Sequence, residues 1–578
     1  MKPDKVKKPL PPILCIIIIA VITAVAFFPS LWNDFVNWDD PYYVTQNENI
    51  KSLSLENLAG IFSSGCEGET SFEGAYCPLV ILSYALEYRF FKLDPFIYHL
   101  TNYLLHIIVS ILVFLFLRML SKNVNVAFIA AMLFSIHPLR VESVAWITER
   151  KDLFYAAFYM LSLMAYAGYI RSGRRKFYVL CLAAWILSLF SKAMAVTLPL
   201  ILLLMDYFYY RKPDKRSVLE KAPFFAIAAI FASINLYFHR FSGADRFMGD
   251  LSSRLYFLLK GIPFYLSKIF FPAELSAMYP YYRVGARHMA EAVFYAAVLA
   301  LCAALIYISK RFTRKVVFGS AFFVLTALPI LQIVPAGGAY AADRYTYLPS
   351  LGIVYILAES VNRILTDKRF NFKALRIGVI SFVGLAVISL SVLTWNRCGV
   401  WRDSETLFSD TIEKHDNAPE PLNNLGVYFE DKEFAEKALY FYKRALLVRP
   451  DYVLARENFE RLYAETAGAG SGAEAFAQKE DDTGVSSEVI WLNLRGIKEF
   501  KSGDAESAVS MFENAAQLDP AYPESFNNLG FALYRMGELK RAEACFKRVL
   551  EIDPEHKKAR MNIEFIQKTE RDRKSSHQ

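Results

Sequence analysis

The chain lacks the usual equipment of a soluble nucleotide-using enzyme. It has no P-loop, no glycine-rich dinucleotide fingerprint following a strand, and no paired-cysteine zinc pattern. Gly470-Ser471-Gly472 lies in a linker and carries no catalytic meaning. Cysteine is sparse, with seven in 578 residues. Cys15, Cys181 and Cys302 fall in apolar runs, where a thiol packs as a small inert hydrophobe. Cys66 and Cys77 share the first loop and would pair if it faced an oxidising compartment; spacing alone leaves that pairing open. Such a short closure would contribute about 3 kcal/mol or less. A cleavage site is missing too. Lys2, Lys5, Lys7 and Lys8 precede an apolar run from Leu10 to Phe28, but Pro29-Ser30-Leu31-Trp32 follows without a small-x-small pattern, which predicts an uncleaved first span.

Apolar sequence is what the chain has in quantity. It is 54% hydrophobic, with a mean hydropathy of +0.24 despite a strongly polar C-terminal part. Candidate spans are 10–29, 97–118, 124–138, 152–170, 176–191, 193–210, 222–239, 290–309, 316–334, 349–365 and 377–395. Several are shorter than the roughly 20 residues of an upright membrane helix, so their interfacial ends must extend them. Residues 254–271 are apolar but carry Lys260, Pro263 and Lys268, and are placed at the interface or as a re-entrant segment.

Basic residues cluster at 2–8, 118–122, 171–176, 211–221, 310–315 and 368–376. With a cytoplasmic N-terminus and eleven spans, all of these clusters fall inside, as membrane topology favours. The net charge of +8 is therefore a topology signal, and nucleic acid drops out as a partner. The opposite loops hold Asp39-Asp40, the stretch from His137 to Asp152, residues 240–289 and Asp343-Arg344. An odd number of spans puts the C-terminal part on their side.

Beyond Trp395 the chain turns polar, helical and repetitive. Leu422-Asn423-Asn424-Leu425-Gly426 returns as Phe526-Asn527-Asn528-Leu529-Gly530. Aligned on Gly426, Gly496 and Gly530, alanines fall at 438, 508 and 542, aromatics at 442, 512 and 546, and prolines at 450, 520 and 554. Gly496 and Gly530 are 34 residues apart, the tetratricopeptide period. Clear repeats cover about 419–452, 489–522 and 523–556, with a helical piece at 453–466 and a flexible stretch at 467–473. The fold class is all-α: a polytopic membrane bundle of about 11 spans over 1–395, with an outer loop at 30–96, then a repeat solenoid over 396–578.

Trp38-Asp39-Asp40-Pro41 stands where the first span delivers the chain to the far interface. Its plain explanation is a turn or helix cap before Pro41. Its chemical one is a general base, Asp39, with Asp40 holding the loop or the acceptor. In an extended segment adjacent side chains point to opposite faces, so one carboxylate reaches the reacting atom. His137, Arg140 and Arg150 lie in an outer loop where cations are disfavoured; either they meet lipid headgroups as in an ordinary interfacial loop, or they bind a phosphate. Lys192, between two apolar runs, either snorkels or faces an anionic headgroup. Arg344 is a similar cation with Asp343 orienting it, while Glu142 and Asp152 are supporting carboxylates. His99 and His106 share a helix face without further ligands, which favours packing, and no metal site is assigned.

In these residues the chain resembles the transmembrane and tetratricopeptide-repeat-containing O-mannosyltransferases, within the GT-C class of glycosyltransferases. The resemblance runs through Trp38-Asp39-Asp40, the segment His137-Pro138 to Asp152, Ser191-Lys192, Asp343-Arg344 to Ser350, and Trp401-Arg402 to Glu405. Ala193 stands where an acidic residue often follows the Ser-Lys pair, and Lys151 where a small residue is usual. The resemblance implies a sugar, mannose by family, on a polyprenyl or dolichyl phosphate, and a protein or peptide acceptor held by the repeat groove. It also implies inversion on the non-cytoplasmic face, with Asp39 as base and Arg150, Arg344 and Lys192 on the phosphate. No cofactor is required, and a divalent cation is left open. A bacterial inner membrane, with the site and repeats periplasmic, fits the short array. Two readings compete. A membrane scaffold recruiting envelope proteins through its repeats would not need Asp39. A transporter of lipid-linked saccharides would carry its ionisable residues deep in the bilayer.

Overall fold

Helix starts are set by short polar side chains and prolines. Asp94 accepts the amide of Phe96 with Pro95 in the first turn, and Asn123 accepts the amides of Asn125 and Val126, each satisfying donors the helix leaves unpaired. The computed structural model describes residues 10–63, 76–211, 214–239, 251–282, 284–311, 313–331, 338–370, 372–468 and 484–575. Cys66 and residues 469–473 thus lie outside the described residues. The chain divides into two compact units, Met1–Asp416 and Asn417–Gln578.

The first unit is built from α1 (Pro12–Phe27), α2 (Pro78–Phe91), α3 (Pro95–Ser121), α4 (Val124–Ser135), α5 (Val141–Ala145), α6 (Arg150–Ser172), α7 (Arg175–Leu189), α8 (Leu198–Phe208), α9 (Ala222–His239), α10 (Leu251–Phe270), α11 (Ala286–Ser309), α12 (Arg314–Ala327), α13 (Ser350–Thr366), α14 (Lys373–Val400) and α15 (Ser404–Lys414). Within the described residues each of the eleven expected spans coincides largely with helix. By length and composition, six helices among the described residues can cross a membrane, and a seventh if α4 and the helical turns after it, bent by 62°, form one span. Helices α7, α8, α12 and α13 have 15, 11, 14 and 17 residues, shorter than an upright crossing needs. Helices α12 and α13 approach closely where glycine is required. A Cβ on Gly352 would lie 2.1 Å from the Gly319 carbonyl oxygen, and one on Gly319 would lie 2.5 Å from that of Gly352.

The contacts sort the loops into two ends. At one, Arg171 reaches the Met119 carbonyl, Arg314 that of Tyr207, and Lys315 pairs with Glu359. These are the basic loops. Lys221 and Arg211 of the 211–221 cluster also pair, with Asp206 and Glu220. At the other end meet the loop after α1, the turns around α5, the α7–α8 connection and residues 339–346. Among the described residues one antiparallel ribbon interrupts the helices, β1 (Tyr279–Pro280) against β2 (Ala339–Ala341), with Tyr279 opposite Ala341. It lies immediately before Asp343-Arg344.

The boundary of the first unit falls after Asp416, not after 395. Trp401 stacks on Trp146 at 5.3 Å, the Ser404 hydroxyl accepts the Asn37 amide, and Trp38 packs on Phe408. Residues 396–416 are polar, yet they belong with the loops that hold Asp39.

The second unit is a series of helix pairs, α16 (Pro419–Asp431) with α17 (Ala435–Val448), α19 (Ser487–Ser502) with α20 (Ala505–Leu518), and α21 (Pro523–Arg535) with α22 (Leu539–Ile552), together with α18 (Val453–Gly468) and α23 (Lys557–Ser575). The repeat signature has a steric cause. A Cβ at Gly426, Gly496 or Gly530 would meet the ring of Tyr442, Phe512 or Phe546 at 2.3, 2.6 or 2.9 Å. Ala438, Ala508 and Ala542 are fully buried in the same seams.

Candidate active site

The loop after α1 is organised by main-chain and side-chain hydrogen bonds that give its two aspartates different jobs. The Asp39 carbonyl accepts the amides of Tyr42 and Tyr43, closing the turn at Pro41. The turn therefore uses the backbone of Asp39 and leaves its carboxylate to face elsewhere. Asp40 is 1% exposed. Its two oxygens accept the Val36 amide at 2.8 Å and the Trp146 indole N–H at 3.1 Å. Burial pushes its carboxyl up to about 7 against the pull of the Val36 amide. Both Asp40 oxygens are taken up in clasping the loop, one of the two roles the sequence left open for this residue beside Asp39.

Asp39 keeps 21% of its side-chain surface exposed, and its Oδ2 lies 3.6 Å from Lys151 Nζ. Burial raises its carboxyl above the usual range, while the Lys151 ammonium draws it back. Glu149, from the turn leading into α6, collects three cations: Lys151 at 3.3 Å, Lys192 at 3.1 Å and Arg344 at 3.0 Å. Lys192 also binds Asp152 at 2.7 Å, and Asp152 accepts the Ser143 hydroxyl. Glu142 accepts both the Arg344 amide and its guanidinium. Four carboxylates (Asp39, Glu142, Glu149, Asp152) thus interlock with three cations (Lys151, Lys192, Arg344). Of the residues singled out in the sequence, Asp39, Glu142, Asp152, Lys192 and Arg344 lie in this one network.

Other expected members are elsewhere or otherwise engaged. Arg150 is fully buried, donating to Asn102, Ser83, Glu87 and the Tyr98 carbonyl. Successive residues on a helix point in different directions, so Arg150 faces the packing between α2 and α3 while Lys151 faces Asp39. His137 is spent on the Ile269 carbonyl and the Leu139 amide. These two are corrected from phosphate ligands to scaffold. Arg140 is buried between the rings of Phe134 and Tyr347 and donates to Thr346, while its Nε and Nη1 meet no acceptor among the described residues. Asp343 accepts the Tyr279 hydroxyl at 2.9 Å, and burial raises its carboxyl to about 6. It does not orient Arg344; Glu142 and Glu149 do. His106 bridges the Tyr347 hydroxyl and the Ser135 carbonyl, a packing role.

Sequence reasoning missed Glu149 and Lys151 as site residues. The available signal was Lys151 itself, a charge at a position where a small residue was expected.

An acid–base cluster at one end of a multi-pass helical membrane bundle, followed by a tetratricopeptide array, defines the class of this protein. The tetratricopeptide repeat family model matches residues 499–561. Over most of its length the chain is similar to the protein O-mannosyl-transferases TMTC3 and TMTC1 of Homo sapiens. TMTC3 is 21% identical, covering 90% of this chain and 62% of that protein. TMTC1 is 22% identical, covering 78% and 57%. Protein O-mannosyl-transferase F38B6.6 of Caenorhabditis elegans is 23% identical, covering 76% and 63%. The chain is a distant relative of these transferases and spans about three-fifths of the length of the curated relatives it matches. A solved structure, ArnT from Cupriavidus metallidurans bound to undecaprenyl phosphate, aligns over 81% of each chain at 13% identity with a TM-score of 0.36, too low to weigh.

Proposed function

We propose that this protein is an inverting membrane glycosyltransferase that moves a sugar, mannose by its relatives' names, from a polyprenyl- or dolichyl-phosphate donor to a Ser or Thr hydroxyl of a protein. The observation that carries the reading is the partly exposed Asp39 carboxylate, set beside the interlocked Glu149, Lys192 and Arg344 where the membrane helices end. In the step, the acceptor oxygen attacks the anomeric carbon as its proton passes to Asp39. The bond from that carbon to the phosphate oxygen breaks, and its electron pair leaves with the phosphate. A carboxylate cannot deprotonate a free hydroxyl outright, but it takes the proton as the bond forms. The leaving phosphate monoester is a weak base and needs no general acid.

Arg344 and Lys192, with 17% and 13% of their side chains exposed, are the cations proposed for the donor phosphate as its charge develops. Both are already paired, so the phosphate must compete with Glu142, Glu149 and Asp152, which favours a doubly charged leaving group over the singly charged bound donor. The repeats are proposed to bind acceptor proteins, tethering raising the local concentration of their hydroxyls. The reading sets the chemistry on the extracytoplasmic face, of a bacterial inner membrane in the simplest case. The test is glycan analysis of envelope proteins from cells carrying wild-type or Asp39→Asn protein at equal abundance. Loss of the modification is expected; unchanged glycosylation ends the assignment.

A further inference from the structure

The ion pair between Lys151 and Asp39 has no part in the step described above. Lys151 stands in the first turn of α6 and is 7% exposed. The Tyr43 and Trp146 rings wall its ammonium at 4.9 and 5.8 Å, and Asp39 and Glu149 share it at 3.6 and 3.3 Å. Lysine is ordinarily a mobile point charge on a flexible stem. Here rings and carboxylates hold it in one place. The opposing requirement comes from Asp39. A carboxylate in a dry setting takes up a proton unless a cation stands beside it, and once protonated it is no longer a base.

We propose that Lys151 is the positioning residue of the base, holding the Asp39 carboxylate in place as an anion with one positive charge divided between Asp39 and Glu149. The inference rests on the reading of Asp39 as base. The charged groups acting on Asp39 are Lys151 from the first turn of α6, Glu149 from the turn before it, Arg344 from the 343–346 turn, and Asp40 from its own loop. Removing the ammonium favours the neutral acid, so the protonation midpoint of Asp39 rises. Removing the Glu149 charge has the opposite sign and releases Lys151 wholly to Asp39.

The experiment is an infrared pH titration of the full-length protein in lipid nanodiscs, following the carboxylic-acid carbonyl band that Asp39→Asn abolishes. Lys151→Met is expected to raise the midpoint by about one pH unit or more, the usual effect of losing an opposite charge at this range. Lys151→Arg is expected to keep it close to wild type, and Glu149→Gln to lower it. An unmoved midpoint in Lys151→Met overturns the proposal. Should that variant fail to assemble, a Glu149→Gln midpoint that stays or rises overturns it instead. A parallel assay follows mannose transfer from synthetic farnesyl-phosphate mannose to a Ser/Thr peptide. There the acid limb of kcat/KM is expected to move with the infrared midpoint, whereas a merely structural loss lowers the rate equally at all pH values. Turnover retained by Asp39→Asn overturns the base assignment; an unmoved infrared midpoint overturns the pairing alone.

Discussion

Replacing Arg150 by glutamine separates a scaffold arginine from a substrate-binding one. The guanidinium is fully buried. It donates to Asn102 Oδ1 at 2.8 Å, Ser83 Oγ at 3.0 Å, Glu87 Oε2 at 2.6 Å and the Tyr98 carbonyl at 2.9 Å, and lies 4.5 Å over the Tyr84 ring. Glu87 is 12% exposed, so losing its partner leaves a nearly dry carboxylate unpaired. Each hydrogen bond to a charged group contributes about 1.5–3 kcal/mol. These bonds act as a unit, and breaking a buried pair from one side costs about 3–5 kcal/mol. That range is the expected loss for Arg150→Gln, measured by denaturant unfolding of the full chain in detergent micelles. Arg150→Gln combined with Glu87→Gln is expected to lose less, because no charge is stranded. A glutamine variant with wild-type stability and a raised KM for the lipid donor would refute the reasoning and return Arg150 to the phosphate.

Asp40→Asn is expected to cost about 1–3 kcal/mol, since an amide presents one acceptor oxygen to two donors. It should also flatten a pH dependence. A carboxyl raised from its unfolded value near 4 to about 7 takes stability away as pH climbs between those values, and the loss is complete above the upper one. Unfolding followed across that window checks both effects, and a dependence that persists in the variant assigns it to other groups. In the repeat unit, Gly530→Ala sets a Cβ 2.9 Å from the Phe546 ring. Overpacking of about 1–3 kcal/mol is expected, read as faster proteolysis of the repeats and relieved when Phe546→Leu is added.

The periodic features were legible in the sequence. Within the described residues the eleven apolar ranges are largely helical, and basic loops that touch one another lie apart from the loops that bear the carboxylates. Both patterns arise from averages over many residues, which single-residue details do not disturb. The repeat seams were equally plain because a glycine must face an aromatic ring in each. Within the candidate site the sequence pointed to loops that meet, but not to which side chains in them meet. Arg150 and Lys151 are adjacent, and only the rotation of α6 decides which one meets Asp39. Asp343 and Arg344 are adjacent too, yet Asp343 turns to Tyr279 while Arg344 turns to Glu142 and Glu149. Composition could not show that residues 396–416 belong to the membrane unit, because a polar segment that packs against loops reads like a linker.

Trp38, Trp146 and Trp401 stack in sequence, with centroids 5.0 and 5.3 Å apart, and Arg344 and Lys151 stand over the central ring. Indoles this close couple their electronic transitions, so the near-ultraviolet circular dichroism of the protein carries a signal from this one location. A shift of either cation, or release of the segment bearing Trp401, would register there without any attached label. The same column that braces the acid–base cluster is an optical gauge of whether it is assembled.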